Sequence, residues 1–133
     1  MHFSVQGNHL HLIVEARDAQ RLSRGMQGLA TWIARRLNQL IGSRGKVFAD
    51  RFHAHVLRRP VEVARAVAYV LGNFVVHARR RGAASEKPAL RAADPYSSAG
   101  CDRPGLTAPP RTWLLRVGWR RSGIAGTVAG LVG

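Results

Sequence analysis

Strand-like alternation opens the chain and gives way to helical periodicity. Residues 3–15 are rich in β-branched and aromatic side chains, which predicts a strand. Alternation places His9, His11 and Ile13 on one face of it. Both faces are largely apolar, so we expect this strand to be central in its sheet. The Gly-Asn pair at residues 7–8 predicts a bulge or a bend.

A long amphipathic helix is predicted next. Asp18 is a suitable N-cap, and Gly42 is a suitable C-cap. Apolar residues recur between them at steps of three or four, at Leu22, Met26, Leu29, Ile33, Leu37 and Leu40. The arginines of this segment lie off the apolar stripe and are expected to form a solvated face.

A second strand and a second helix follow. Residues 47–57 alternate between two faces, which predicts a strand. Pro60 at a first helical position, with Glu62 in the first turn, predicts the start of a helix. Its apolar stripe is formed by Val63, Val67, Val70 and Phe74.

The composition changes after Gly82. Residues 83–112 hold five of the six prolines, which predicts a mostly irregular segment. We therefore divide the chain into a domain at residues 1–82 and a C-terminal extension at residues 83–133. Within the extension, residues 111–121 predict a short helix or strand that docks Trp113, Leu114 and Trp119 on the body.

Charge narrows the choice of partner. Lys and Arg number 21 against 7 Asp and Glu, for a net charge of +14, and such an excess favours a polyanion such as nucleic acid. An anionic membrane surface would require a basic amphipathic helix with bulky exposed apolar residues. The single cysteine fits a reducing compartment, and no apolar run has the length of a membrane span. We expect a cytoplasmic, nucleoid-associated protein without a membrane partner.

Candidate chemistry lies in the first strand and the second helix. His9 and His11 share a strand face with Cα atoms about 6.5 Å apart, so their rings can converge on one metal ion. Tyr69 and Asn73 are four residues apart on one helix face. Asn73 offers a carbonyl oxygen to a hard cation, and Tyr69 offers a phenol that needs a cation or a base to react. Core histidines and a packing tyrosine are the alternatives.

Three segments resemble one family. "GNHLHLIVEA" resembles the HUH motif (His, hydrophobic, His) of single-tyrosine transposases, in particular the REP-associated tyrosine transposase group. "GKVFADRFHAHVL" resembles the Gly-x-(Val/Leu)-Phe/Trp-x-x-Arg-Phe segment of that group, and "AYVLGN" resembles its catalytic helix. The three segments come in the family's order, and the resemblance covers most of residues 1–82.

The resemblance implies a DNA transposase that acts on single-stranded or hairpin DNA as a single-strand endonuclease and strand transferase. Tyr69 would be the nucleophile and would form a 5′-phosphotyrosine link. His9, His11 and Asn73 would bind Mg²⁺ or Mn²⁺. The DNA backbone would be held by arginines near these residues, namely Arg51, Arg58, Arg59 and Arg65.

The resemblance also implies an α+β fold, a ferredoxin-like antiparallel sheet with helices packed on one face. Family members have a strand and a helix before the HUH strand, so we expect a sheet that is incomplete at its N-terminus, as in a truncated member. A homodimer could cover the open edge, and the truncation could abolish activity. The alternative is a catalytically inactive, truncated relative that binds nucleic acid through its basic surface. A cationic metal-binding protein unrelated to DNA is a third interpretation.

Overall fold

The computed structural model describes residues 1–80, 94, 96–101, 105–124 and 126, except for the side chains of residues 73–80. The chain divides into two compact units, one formed by residues 1–15 with 57–133 and the other by residues 16–56. The described part has a small two-stranded antiparallel sheet together with helices, which confirms a mixed α+β class.

The first unit begins with a β-hairpin rather than one bent strand. Strand β1 (His2–Gln6) pairs antiparallel with strand β2 (His9–Ile13). Gly7 has a φ of 54°, and glycine adopts such a positive angle without the steric cost of a side chain. A two-residue Gly-Asn loop with glycine first matches the tight turns that suit the twist of a hairpin. The pair predicted as a bulge or bend is therefore a full reversal of the chain.

One further segment of the chain pairs with the hairpin, and it contacts β1 rather than the histidine strand β2. Ser4 forms an isolated antiparallel bridge with Ser97. Val5 N–H donates to Tyr96 O at 2.9 Å, and Ser98 N–H donates to Phe3 O at 3.0 Å. Within the described residues β2 pairs with β1 alone, so the structure gives the histidine strand one neighbour there, whereas a central strand has two. Leu10 and Leu12, on the face away from the histidines, are half-buried, so apolar residues on both faces do not by themselves require two neighbouring strands.

Helix α2 (Pro60–Arg80) covers the hairpin and begins where the sequence predicted. The Glu62 carboxylate accepts from the N–H groups of Arg58 and Arg59 at 2.8 and 3.2 Å, which satisfies donors ahead of the first turn. The side chain of Phe74, predicted for the apolar stripe, lies outside the described part. The core of the unit consists of Ile13, Val63, Ala64, Val67, Val70, Leu71, Leu115 and Trp119.

Residues 111–121 form helices, as one of the two predictions had it. Helix α3 (Trp113–Arg116) is followed by a 3₁₀ helix (Gly118–Arg121). Trp119 is buried, as predicted, and its indole N–H donates to Leu115 O at 3.1 Å. Trp113 is 56% exposed and lies against Gly118, where a Cβ atom would come within 2.6 Å of its ring. Leu115 therefore takes the buried place expected of Trp113.

The second unit contains one long helix, α1 (Ala19–Ile41), with both predicted caps. The Asp18 carboxylate accepts from Arg21 N–H at 2.7 Å, and Gly42 adopts a left-handed φ of 64°. Residues 47–57 form no strand, contrary to prediction. Phe52 and Val56, which alternation places on one face, are 44% and 66% exposed, so that face is not buried. None of the described helices is long and apolar enough to cross a membrane.

Candidate active site

The register of the hairpin places the two histidines side by side on the face of the sheet that α2 covers. His9 lies opposite Gln6, and His11 lies opposite Ser4. Because paired residues share a face, the histidines lie on the face where Ser4 and Gln6 are buried. The two imidazole rings are nearly parallel, at 21°, with their centroids 6.1 Å apart. The predicted sharing of a face is therefore present in the structure.

Helix α2, which carries the predicted nucleophile, contacts the histidine strand through Tyr69. The rings of His11 and Tyr69 are perpendicular, at 84°, with their centroids 5.3 Å apart. Buried neighbours on α2, Val67 and Val70, hold the helix against the core and leave Tyr69 at its margin. Tyr69 is 58% exposed, so a bulky substrate can approach its phenol.

His9 has a defined hydrogen-bonding arrangement. Its Nδ1 lies within hydrogen-bond distance of the amide oxygen of Asn8. An amide oxygen only accepts, so in this contact Nδ1–H is the donor. Asn8, which the sequence predicts only for the turn, therefore also contacts the His9 ring.

The proposed metal has two of its three donors in the described part. His9 and His11 present two neighbouring imidazoles, which fits a first-row divalent ion. Asn73 follows Tyr69 by one turn of α2, but its side chain lies outside the described residues. No group of three or more His, Cys, Asp and Glu side chains gathers anywhere in the described residues. The third ligand therefore stays a prediction.

A buried carboxylate supports the strand opposite the histidines. Asp94 is 2% exposed, and its Oδ2 accepts from Gln6 Nε2 at 2.6 Å and from Ser4 Oγ at 3.2 Å. Its Oδ1 accepts from Tyr96 N–H at 2.9 Å. Gln6 and Ser4 are the register partners of His9 and His11, so this network fixes the strand on which the histidine pair is aligned.

Sequence reasoning missed Asp94 because it falls in the proline-rich segment. The signal was present in "DPYSS", since an aspartate followed by serines often bonds its own backbone in a turn. Glu15, two residues beyond β2, anchors a distant segment of the first unit. Its carboxylate accepts from the N–H groups of Arg111 and Thr112 at 2.7 and 2.9 Å. It therefore anchors the segment that leads into α3.

The predicted DNA-binding arginines divide between the two units. Arg59 and Arg65 line a shallow cavity of about 650 Å³ at the start of α2. Arg121 and Ser122 line it from the end of the 3₁₀ helix. We call this cavity, with Arg59, Arg65 and Arg121, the arginine cleft. Arg58 is exposed just before it, and Arg51 is exposed in the other unit. Sequence reasoning missed Arg121, which is 56 positions beyond Arg65 in the chain.

In comparisons with protein-family models, curated proteins and solved structures, none matches this chain.

Proposed function

We propose that this chain is a metal-dependent, single-tyrosine DNA transposase of the REP-associated type, acting on single-stranded or hairpin DNA. The observation that carries the proposal is the ring contact between His11 and Tyr69. The two residues are 58 positions apart in the chain and belong to separate motifs. Their rings nevertheless lie against one another. Tyr69 itself is 58% exposed, so the contact leaves part of its ring open to a substrate.

In the proposed reaction, the Tyr69 phenol attacks a DNA phosphate. The bond from Tyr Oη to phosphorus forms, and the bond from phosphorus to O3′ breaks. The phenol proton leaves to solvent or a nearby base, and the departing O3′ takes up a proton to give a free 3′-hydroxyl. A later attack by a 3′-hydroxyl on the phosphotyrosine reverses these steps and joins two strands without a nucleotide cofactor.

The residues of this chain have separate tasks in that reaction. His9, His11 and Asn73 would hold the divalent ion, which supplies charge neutralisation at the phosphate. The His11 ring limits the orientations open to the Tyr69 ring. The arginine cleft holds the phosphate backbone, since planar guanidinium groups bind phosphate oxygens in pairs. Of the two proposed ions, Mn²⁺ suits two imidazole donors better than Mg²⁺, which prefers oxygen ligands.

The proposal extends to the fold and the cellular context. A hairpin whose covered face carries the histidines, with α2 on that face, is consistent with part of a ferredoxin-like sheet. In this proposal the protein acts in the cytoplasm, at the nucleoid. A homodimer that covers the open edge of β2 belongs to the same proposal.

A covalent-adduct assay tests the function, and the chain offers a matched control. Hairpin DNA with single-stranded flanks is incubated with the protein and Mn²⁺ and run on a denaturing gel. A 3′ label should migrate with the protein, whereas a 5′ label should be released, because Tyr69 keeps the 5′ phosphate. Tyr69→Phe should give no adduct, and Tyr96→Phe, at the only other tyrosine, should give the wild-type amount. An adduct in Tyr69→Phe contradicts the assignment of the nucleophile.

The second candidate is a relative that binds nucleic acid without cutting it. The arginine cleft favours it, because binding of phosphate there needs neither the metal nor the tyrosine. In the same assay, this candidate predicts no adduct with any label, alongside undiminished DNA binding by wild type and by Tyr69→Phe.

A further inference from the structure

Helix α1 has a second face, away from its leucine stripe, on which a tryptophan lies among polar groups. Arg24, Gly28 and Arg35 follow one another at steps of four and seven residues, so they form one row along the helix. Trp32 borders this row one turn after Gly28. A shallow, open depression of about 510 Å³ lies on this face, lined by Arg24, Gln27, Gly28, Thr31, Trp32 and Arg35. We call it the α1 polar face.

Packing does not account for Trp32. Its side chain is 61% exposed, and no residue of α1 is buried. The apolar stripe that the sequence pattern defines passes through its neighbour Ile33, about 100° further around the helix. A large aromatic ring therefore lies on the arginine side of the helix, with most of its surface open to solvent.

The charges beside Trp32 are uncompensated. Helix α1 contains no acidic residue. Neither Arg24 nor Arg35 forms an ion pair with any described residue, whereas Arg21 pairs with Asp18 at 3.5 Å. At Gly28 a Cβ atom would meet nothing within 4 Å, so the floor of the depression is open. Two free cations and one exposed indole face therefore lie along about 16 Å of helix.

We propose that the α1 polar face is a stacking platform for single-stranded DNA. A base stacks on the Trp32 indole, and the adjoining phosphates lie against Arg24 and Arg35. This combination of a cationic track with an aromatic ring is the usual way in which proteins hold unpaired strands. The inference rests on the proposed partner, single-stranded DNA, but not on the chemistry of Tyr69.

Two competing occupants fit this face less well. Duplex DNA keeps its bases stacked inside, so it leaves an exposed indole unused. An anionic membrane surface takes up the apolar side of a helix, with tryptophan among the leucines. Here Trp32 shares its depression with Arg24 and Arg35 instead.

Tryptophan fluorescence tests the stacking directly. The chain has three tryptophans, of which Trp119 is 4% exposed and Trp113 is 56% exposed. Titration with an oligothymidylate should quench the emission of wild type and of Trp113→Phe, because a stacked base quenches indole. The quenching should disappear in Trp32→Phe. Quenching that persists in Trp32→Phe overturns the proposal.

Affinity measurements give a second, independent readout. Trp32→Leu keeps an apolar side chain with good helix propensity but removes the ring, and it should weaken oligothymidylate binding by roughly 5- to 100-fold. Wild-type affinity in Trp32→Leu overturns the proposal. Because Trp32 is exposed, this variant should keep the wild-type far-ultraviolet circular dichroism.

The arginines are tested against a charge-matched control. Arg24→Gln with Arg35→Gln should reduce the slope of log affinity against log salt concentration by about 1.4, or about 0.7 for each lost phosphate contact. Arg17→Gln with Arg44→Gln removes the same charge from exposed positions off this face and should leave the slope unchanged. Equal slopes in the two double variants contradict a localised platform.

Two further arms separate this inference from its alternatives. Tyr69→Phe should lose the covalent adduct but keep the Trp32 quenching, so the two proposals fail independently. Quenching in a wild type that forms no adduct supports the platform and removes only the tyrosine chemistry. A Trp32 emission shift with anionic phospholipid vesicles but none with oligothymidylate overturns the platform in favour of a membrane surface.

Discussion

The rings of Tyr69 and His11 meet edge to face, with their centroids 5.3 Å apart. An aromatic pair of this kind contributes about 0.5–1.5 kcal/mol beyond the area it buries. The contact therefore orients a proposed nucleophile and also stabilises the packing of α2 on the hairpin.

The two effects of Tyr69 can be separated by substitution. Tyr69→Phe keeps the ring, so its free energy of unfolding should stay within about 0.5 kcal/mol of wild type. Tyr69→Ala removes the ring and should lower the free energy of unfolding by about 1 kcal/mol. Urea denaturation measures both. Equal stabilities of Phe and Ala variants would show that the ring contact is not made in solution.

Metal binding should depend on one His-x-His pair and not on the other. His9→Ala and His11→Ala should each weaken Mn²⁺ binding, which electron paramagnetic resonance measures as free Mn²⁺. His53→Ala with His55→Ala is the matched control, because it removes two exposed histidines of the same spacing in the other unit. In wild type, Mn²⁺ at 100 times its dissociation constant should raise the free energy of unfolding by about 2.7 kcal/mol. An equal loss of binding in the control would remove the metal assignment.

The buried network around Asp94 should be costly to interrupt. Asp94→Ala removes the acceptor of the Ser4 hydroxyl and one of the two acceptors of the Gln6 amide, which keeps its bond to Ser4 Oγ. A buried polar group left without a partner costs about 1–3 kcal/mol. Asp50→Ala, at an exposed carboxylate, should change the free energy of unfolding by less than about 0.5 kcal/mol. Chemical denaturation of the two variants measures the difference. Similar losses in both would contradict a structural role for Asp94.

Stability should fall with acid through Glu15. Burial raises the pKa of its carboxyl, but hydrogen bonds from the Thr112 hydroxyl and from the N–H groups of Arg111 and Thr112, with the nearby N-terminal amine, outweigh it. The net pKa lies below the usual 4.5. The unfolded state thus binds the proton first, so this contribution is present above pH 4.5 and is lost as the pH falls through the lower folded-state pKa.

The measurement for Glu15 is a pair of stability profiles against pH. The stability difference between wild type and Glu15→Gln should be constant above pH 5 and should shrink below it. Thr112→Val removes one donor and should lessen that acid loss. A difference that grows as the pH falls contradicts the direction of the shift.

Local signals in the sequence predicted much of this structure. Asp18 and Gly42 bound α1 because capping depends on a few adjacent residues. The shared face of His9 and His11 follows from strand period alone. The partner of each strand could not be predicted in this way, because pairing depends on distant segments. Ser97 supplies the second neighbour of β1 from 93 positions away, and residues 47–57 alternate although they form no strand.

The residues of the candidate site also differ in whether a local signal marks them in the sequence. Tyr69 and the histidines were found because each belongs to a short motif with a fixed spacing. Asp94 and Arg121 were not found, since their role depends on tertiary contacts that no short spacing encodes. The burial of Asp94 and the place of Arg121 beside Arg59 and Arg65 are visible only in the folded chain.

Binding of phosphate in the arginine cleft can be tested by comparing Arg121 with its neighbour Arg120. Arg121 lines the cleft with Arg59 and Arg65, whereas the guanidinium of Arg120 lies 5.5 Å from the centre of the Trp119 ring. Each variant, Arg121→Gln or Arg120→Gln, removes one charge from the same 3₁₀ helix. If the cleft holds a phosphate, Arg121→Gln should reduce the salt slope of single-stranded DNA binding by about 0.7, and Arg120→Gln should leave it unchanged. Fluorescence anisotropy at several salt concentrations measures both slopes. Because overall charge changes equally, a slope lost only in Arg121→Gln reports a contact at the cleft, and identical slopes in the two variants would assign the binding to general charge.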